Sequence, residues 1–139
     1  MAPRLLALAE RAWSLDPGWQ RIADPARRAE RIAADWNAFA NRLGQRELPR
    51  LDRDPPGYGY RLPPPGVVRR DGVIRANVAL PGLSLRYAFD NGELDGASPR
   101  YTGPLTPPPG AGTLRIASFD TRGRASRVVT LDLKDAPDA

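Results

Sequence analysis

Proline divides this chain. Pro55-Pro56, Pro63-Pro64-Pro65, Pro81-Gly82 and Pro107-Pro108-Pro109 fall in the later part of the 139 residues, between short runs rich in Val, Leu, Ile and Tyr. No helix runs through such clusters, because each proline lacks an amide donor and disfavours helical geometry in the residue before it. Ahead of about residue 50 the chain is instead rich in Ala, Arg and Leu. The pattern therefore changes from helical to extended near that point.

The first helix is expected over 3–15, with Leu5, Leu8, Ala9, Ala12 and Trp13 on one stripe. Asp16-Pro17-Gly18 ends it. A second helix is expected over 25–43: Asp24 caps the orphan amides, Pro25 takes the first helical position, and Gly44 provides a left-handed stop. Its apolar face carries Ala29, Ile32, Ala33, Trp36, Phe39, Ala40 and Leu43. At 1.5 Å per residue it spans roughly 28 Å, long for so short a chain. Two helices bearing Trp13, Trp19, Trp36 and Phe39 bury those aromatics only if a further surface meets them. Leu8, Trp13, Ile32, Trp36, Phe39 and Leu43 are the expected domain-packing residues.

From residue 58 onward the chain reads as antiparallel strands. Ile74, Ala76, Val78 and Leu80 alternate onto one face; after the Pro81-Gly82 turn, Leu83, Leu85, Tyr87 and Phe89 do the same. Residues 113–119 and 127–133 supply two more strands, and edge pieces near Val67-Val68 and 101–105 bring the count to six or seven, the size of a small immunoglobulin-like sandwich. Its expected core is Ile74, Val78, Leu85, Tyr87, Phe89, Leu114 and Ile116. The reading is an α+β chain, helical with a linker over 1–56 and a β-sandwich over 57–135.

Much chemistry is excluded. With no cysteine and no histidine, the chain has no disulfide, thiolate nucleophile, histidine base or Cys/His zinc site. Its net charge of +5 is spread along both parts, and 20 of its 21 basic residues are arginine. No basic stripe interleaved with aromatics is present, so nucleic acid is not an expected partner. The apolar run Leu5–Ala9 stops at Glu10-Arg11, too short for a membrane span and without a cleavage site after it. Glu10 is expected in an ion pair or on a solvated face. Asp52, Asp54, Asp90, Glu93 and Asp95 are expected to face solvent, with no cofactor or metal. Gly110-Ala111-Gly112 lacks the helix and lysine of a phosphate-binding loop.

Two stretches carry a family likeness. Residues 3–62, through Pro3-Arg4-Leu5-Leu6-Ala7-Leu8-Ala9-Glu10-Arg11-Ala12-Trp13, Trp36-Asn37-Ala38-Phe39 and Leu43-Gly44, resemble the last barrel helices of family 20 β-N-acetylhexosaminidases, the class that includes chitobiase. Residues 60–133 resemble the sandwich that follows that barrel, through Tyr60-Arg61-Leu62-Pro63-Pro64-Pro65-Gly66, Leu85-Arg86-Tyr87-Ala88-Phe89-Asp90-Asn91-Gly92, Ser98-Pro99-Arg100-Tyr101-Thr102-Gly103-Pro104 and Phe119-Asp120-Thr121-Arg122-Gly123-Arg124-Ala125-Ser126.

The resemblance implies a non-catalytic C-terminal region that packs against the catalytic barrel. In that family an adjacent aspartate-glutamate pair does the chemistry, the glutamate as general acid and the aspartate orienting the substrate's acetamido group. This sequence contains no Asp-Glu dipeptide, so no residue is assigned a catalytic role and the chain alone is expected not to be an enzyme. The implied partners are the barrel, in cis or in trans, and N-acetylglucosamine-containing glycans; the helical stripe adds self-association. The parent is expected in the bacterial periplasm or outside the cell. The alternative is an independent carbohydrate-binding or protein-interaction module, with Tyr58 and Tyr60 as saccharide contacts.

Overall fold

A computed structural model describes residues 2–53, 57 and 59–134, with the backbone alone given for 2–4. Two compact units result, residues 1–61 and 62–139. The architecture is α+β, an N-terminal helical segment followed by a small antiparallel, immunoglobulin-like sandwich.

In the first unit, helix α1 (Ala2–Trp13) precedes a single 3-10 turn, Trp19–Arg21. The Asp16-Pro17-Gly18 stop is built from glycine's freedom: Gly18 sits at φ 71°, and its amide donates to Asp16 Oδ1 at 2.9 Å. Helix α2 (Pro25–Arg42) begins where its sequence signals place it, the Asp24 carboxylate accepting from the amides of Ala26 and Arg27 at 2.8 and 3.4 Å. Its end differs from the expectation. Gly44 does not stop it; a π-helical turn, Leu43–Glu47, carries the chain straight into α3 (Leu48–Arg53). Gly44 can leave a helix but nothing forces it to, and the wider π turn lies just ahead of Pro49, whose ring and missing amide a regular α-helical run would not accommodate. Asp52 is accordingly helical, and it accepts the Tyr60 hydroxyl at 2.9 Å instead of facing solvent in a linker. Asp54 lies outside the described residues.

The second unit has five strands among the described residues, not six or seven. Strands β1 (Gly66–Arg70) and β2 (Val73–Asn77) form a hairpin; its two-residue loop, Asp71-Gly72, has both φ angles positive, at 52° and 73°. That is the turn whose twist suits a hairpin, and Asp-Gly is its sequence signature. Strands β3 (Ser84–Phe89), β4 (Thr113–Phe119) and β5 (Val129–Asp132) form a second sheet with β4 in the centre. The Pro81-Gly82 turn therefore passes the chain from one sheet to the other and closes no hairpin.

The edge piece expected over 101–105 is not a strand but a stitch between the sheets. At its start, Tyr101 N donates to Leu85 O on β3, at 2.8 Å; at its end, Leu105 and Ile74 exchange both backbone bonds on β2, at 2.8 and 2.9 Å. The Tyr101 hydroxyl accepts from the Ala76 amide at 3.0 Å, supplying the acceptor that a neighbouring strand would otherwise provide. Tyr101→Phe keeps the ring and removes that acceptor, which leaves a half-buried amide unsatisfied. We expect it to cost about 1–3 kcal/mol, read as a lower urea midpoint with an unchanged slope.

Ile74, Leu85, Leu114, Ile116 and Leu133 make the core, and Val78, Tyr87 and Phe89 pack partly buried against it. Tyr87 and Phe89 meet edge to face at 5.7 Å between centroids. Ala117 and Phe119, on the other face of β4, are buried too. Carboxylates hold the loops, among them Asp90, which was expected merely to face solvent. Asp90 Oδ1 accepts the amides of Gly112 and Thr113, so the chain enters β4 in register, and Asp120 clasps the turn after it through the amides of Arg122 and Arg124.

Asp95 organises the loop after β3. Bonds from the Ala97 amide and the Ser98 hydroxyl hold its carboxyl below the ordinary 3.8. A folded value below the unfolded one stabilises above the unfolded value and loses that contribution as pH falls through the folded one. The urea midpoint should therefore fall on acidification below about pH 4, and Asp95→Asn, which keeps an acceptor but cannot titrate, should reduce that fall. An unaltered acid limb in Asp95→Asn would refute this role.

Candidate functional site

The first unit holds its helices together through polar contacts, and this decides what its surface offers. The side of α1 nearest α2 carries Glu10, whose carboxylate takes Arg42 Nη1 at 2.9 and 3.0 Å. Arg11 lies 4.9 Å over the Trp19 ring, and the Trp19 indole donates to Asp35 Oδ2 at 2.7 Å. Arg31 reaches the other Asp35 oxygen at 3.4 Å, and Arg21 pairs with Asp16. Backbone and side-chain bonds to Asp16, from Gly18 first and Gln20 next, lower its pKa below the ordinary value. Trp19, whose role the sequence left open, is thus a fastener between α1 and α2.

The apolar stripe of α1 points elsewhere. Leu5, Leu8, Ala9, Ala12 and Trp13 are all exposed, Leu8 at 67% and Trp13 at 90%; Leu15 follows at 92%. On α2 the stripe splits. Ala29, Ile32, Ala33 and Trp36 are exposed, Ile32 at 43% and Trp36 at 50%, whereas Phe39 is half-buried and Ala40 and Leu43 are buried. Trp36 and Phe39 stand 5.9 Å apart in a tilted pair.

Two open grooves flank the Glu10–Arg42 pair. The larger, about 610 Å³, runs between α1 and α2 past Leu15, Trp19, Ile32, Asp35 and Trp36; the smaller, about 340 Å³, passes Leu6, Trp13, Phe39 and Leu43. A small-molecule site needs a few polar groups converging on the ligand. Here Glu10, Asp16 and Asp35 already have partners in the chain, and what remains open is mostly apolar. This suits a macromolecular surface better than a sugar.

Of the two tyrosines expected at a saccharide, Tyr58 lies outside the described residues. Tyr60 is half-buried, and its hydroxyl is bound to Asp52. Among the described residues no cluster of three metal-ligating side chains occurs, and no helix is long and apolar enough to cross a membrane.

The family model for the chitobiase/beta-hexosaminidase C-terminal domain matches residues 47–128, more than half of the chain. The chain belongs to that family. An N,N'-diacetylchitobiase of Vibrio harveyi is 37% identical over 118 residues, which take in 73% of this chain and 13% of that relative. A beta-hexosaminidase of Vibrio vulnificus is 28% identical over 144 residues, 91% of this chain and 16% of the relative. This hexosaminidase C-terminal region thus spans about one-seventh of the relatives it matches. A match over 91% of the chain is not contained in residues 47–128; it also takes in most of the helical residues ahead of Glu47. The exposed part of the α2 stripe therefore lies in a segment that, in the beta-hexosaminidase relative, is continuous with a much longer protein.

Proposed function

We propose that the chain is the non-catalytic C-terminal part of a β-N-acetylhexosaminidase, and that its helical unit supplies the face by which it packs against and stabilises the catalytic barrel. One observation carries this reading: the apolar stripe of α1 and the first half of the α2 stripe are exposed while the carboxylates Glu10 and Asp35 between the two helices are paired with Arg42 and Arg31. Water leaves such surface at a gain of about 25 cal/mol per Å² of apolar area buried. Local charge pairing lets a neutral surface close over it without stranding an ion. Glycoside cleavage needs a carboxylic acid and a second carboxylate or a substrate group, set across the bond in a shielded pocket. The sequence has no adjacent Asp-Glu pair. Substrate contact and chemistry then belong to the barrel, and the N-acetylglucosamine-containing glycan meets this chain only as part of the assembled enzyme.

A chimera tests this. The C-terminal segment of the Vibrio harveyi N,N'-diacetylchitobiase that matches this chain is replaced by residues 1–139, and the product is compared with the same enzyme truncated there. The chimera should hydrolyse a chromogenic N-acetyl-β-glucosaminide and melt above the truncated form; the 139-residue chain alone should show no turnover. Hydrolysis by the isolated chain, or a chimera no more stable than the truncation, would sink the proposal.

A further inference from the structure

The connection between the two units is tied down on both sides almost to its middle. On the helical side, the Tyr60 hydroxyl donates to Asp52 Oδ2 at 2.9 Å, and both residues belong to the first unit. On the sandwich side, the Ser118 hydroxyl donates to the Pro63 carbonyl at 2.6 Å, within the second unit. Ser118 is itself held fast. It has no exposed surface; its amide donates to the Ser126 hydroxyl oxygen at 3.0 Å, and its carbonyl accepts from the Ser126 amide at 2.8 Å. Leu62 and Pro65 are buried on either side of the tied carbonyl, and β1 begins at Gly66.

A proline run has a fixed φ but no hydrogen bonds of its own, so it is stiff along its length and takes its direction from what it is bound to. Here the buried hydroxyl on the central strand supplies that direction. Between Tyr60 and Leu62 only Arg61 is left, exposed and with no side-chain partner among the described residues. A flexible tether gains its reach from many residues, growing as the square root of their number. One residue gives almost none.

We infer that residues 60–65 are a strut, with Tyr60 and Ser118 as the positioning residues that lock its two ends, so that the helical unit and the sandwich reorient as one body. This coupling stands without a barrel. If the helical unit packs against one, as proposed above, the strut makes the sandwich travel with it instead of trailing on a tether.

Nuclear magnetic resonance relaxation of backbone amides in the intact chain tests it. The rotational correlation times of residues 1–61 and 62–139 should agree within about a tenth, since tumbling is read on the nanosecond scale. Inserting Gly-Ser-Gly-Ser between Arg61 and Leu62 leaves every bond named above in place and adds only flexible chain. It should separate the two times and shorten each by about a third or more. Tyr60→Phe combined with Ser118→Ala, which removes both hydroxyls, should separate them in the same sense. Amide spectra unchanged away from the connection show that each unit stays folded, and the insertion gives the reading even where Ser118→Ala unfolds the sandwich. Unequal times in the unaltered chain overturn the inference. So does an insertion variant that still tumbles as one body, or a folded Tyr60→Phe, Ser118→Ala variant that tumbles like the parent. The chimera experiment is separate: failure to rescue the truncated enzyme removes the barrel reading and leaves the strut, whereas independent tumbling removes the strut and leaves the barrel reading.

Discussion

Leu114→Ala is expected to lower the stability of the sandwich by about 2–5 kcal/mol, the range for truncating a fully buried leucine without full collapse of the cavity. Leu114 has no exposed surface and lies on β4, the central strand, where relief by local rearrangement is least available. Its register neighbours are Phe89 on β3 and Leu131 on β5. The loss would therefore be felt across the whole sheet. The aromatic residues divide between the units: Trp13, Trp19, Trp36, Tyr58 and Tyr60 all precede residue 62, while Tyr87 and Tyr101 lie in the sandwich. Urea unfolding followed by tyrosine emission and by far-ultraviolet circular dichroism should show the midpoint fall. An unfolding free energy within about 0.5 kcal/mol of the parent would place the core elsewhere.

Trp13→Asp should behave in two opposite ways depending on what surrounds it. In the dilute isolated chain the side chain is 90% exposed, and its replacement should change stability by no more than about 0.5 kcal/mol. In the chitobiase chimera the same change should cost about 2–4 kcal/mol, because an aromatic anchor at an interface is lost and a carboxylate is left in its place without a partner. The expected readout is a lower melting temperature for the chimera, with activity retained below it. Equal, small effects in both contexts would mean that Trp13 faces water in the assembled enzyme also, and that another surface holds this region to the barrel.

The contrast between the two units shows what was legible in the sequence. The α2 start was readable because Asp24 and Pro25 act within one turn of chain, where hydrogen-bond geometry depends on neighbours alone. The core residues of the sandwich were readable because alternation places Ile74, Leu85, Leu114 and Ile116 on inward faces whatever the strand order. The β1–β2 hairpin carried a signal that was passed over: Asp71-Gly72 between two apolar runs is the commonest hairpin signature, and it would have distinguished this turn from Pro81-Gly82.

Other features had no local signature. Gly44 has a conformational freedom that does not say whether a helix stops there or continues through a π turn. The acceptor for Ala76 comes from Tyr101, 25 residues away, and no spacing rule foretells a hydroxyl replacing a strand. The direction of the α1 stripe was likewise undetermined. Periodicity establishes that Leu5, Leu8, Ala9, Ala12 and Trp13 share a face, since that follows from 3.6 residues per turn. Which neighbour the face meets depends on how the helix is rotated when it docks, and here Glu10 with Arg42 and Arg11 over Trp19 turn the polar side inward. Helical phase is a property of consecutive residues and is written in the chain; docking rotation is a property of two elements brought together, and only the folded unit decides it.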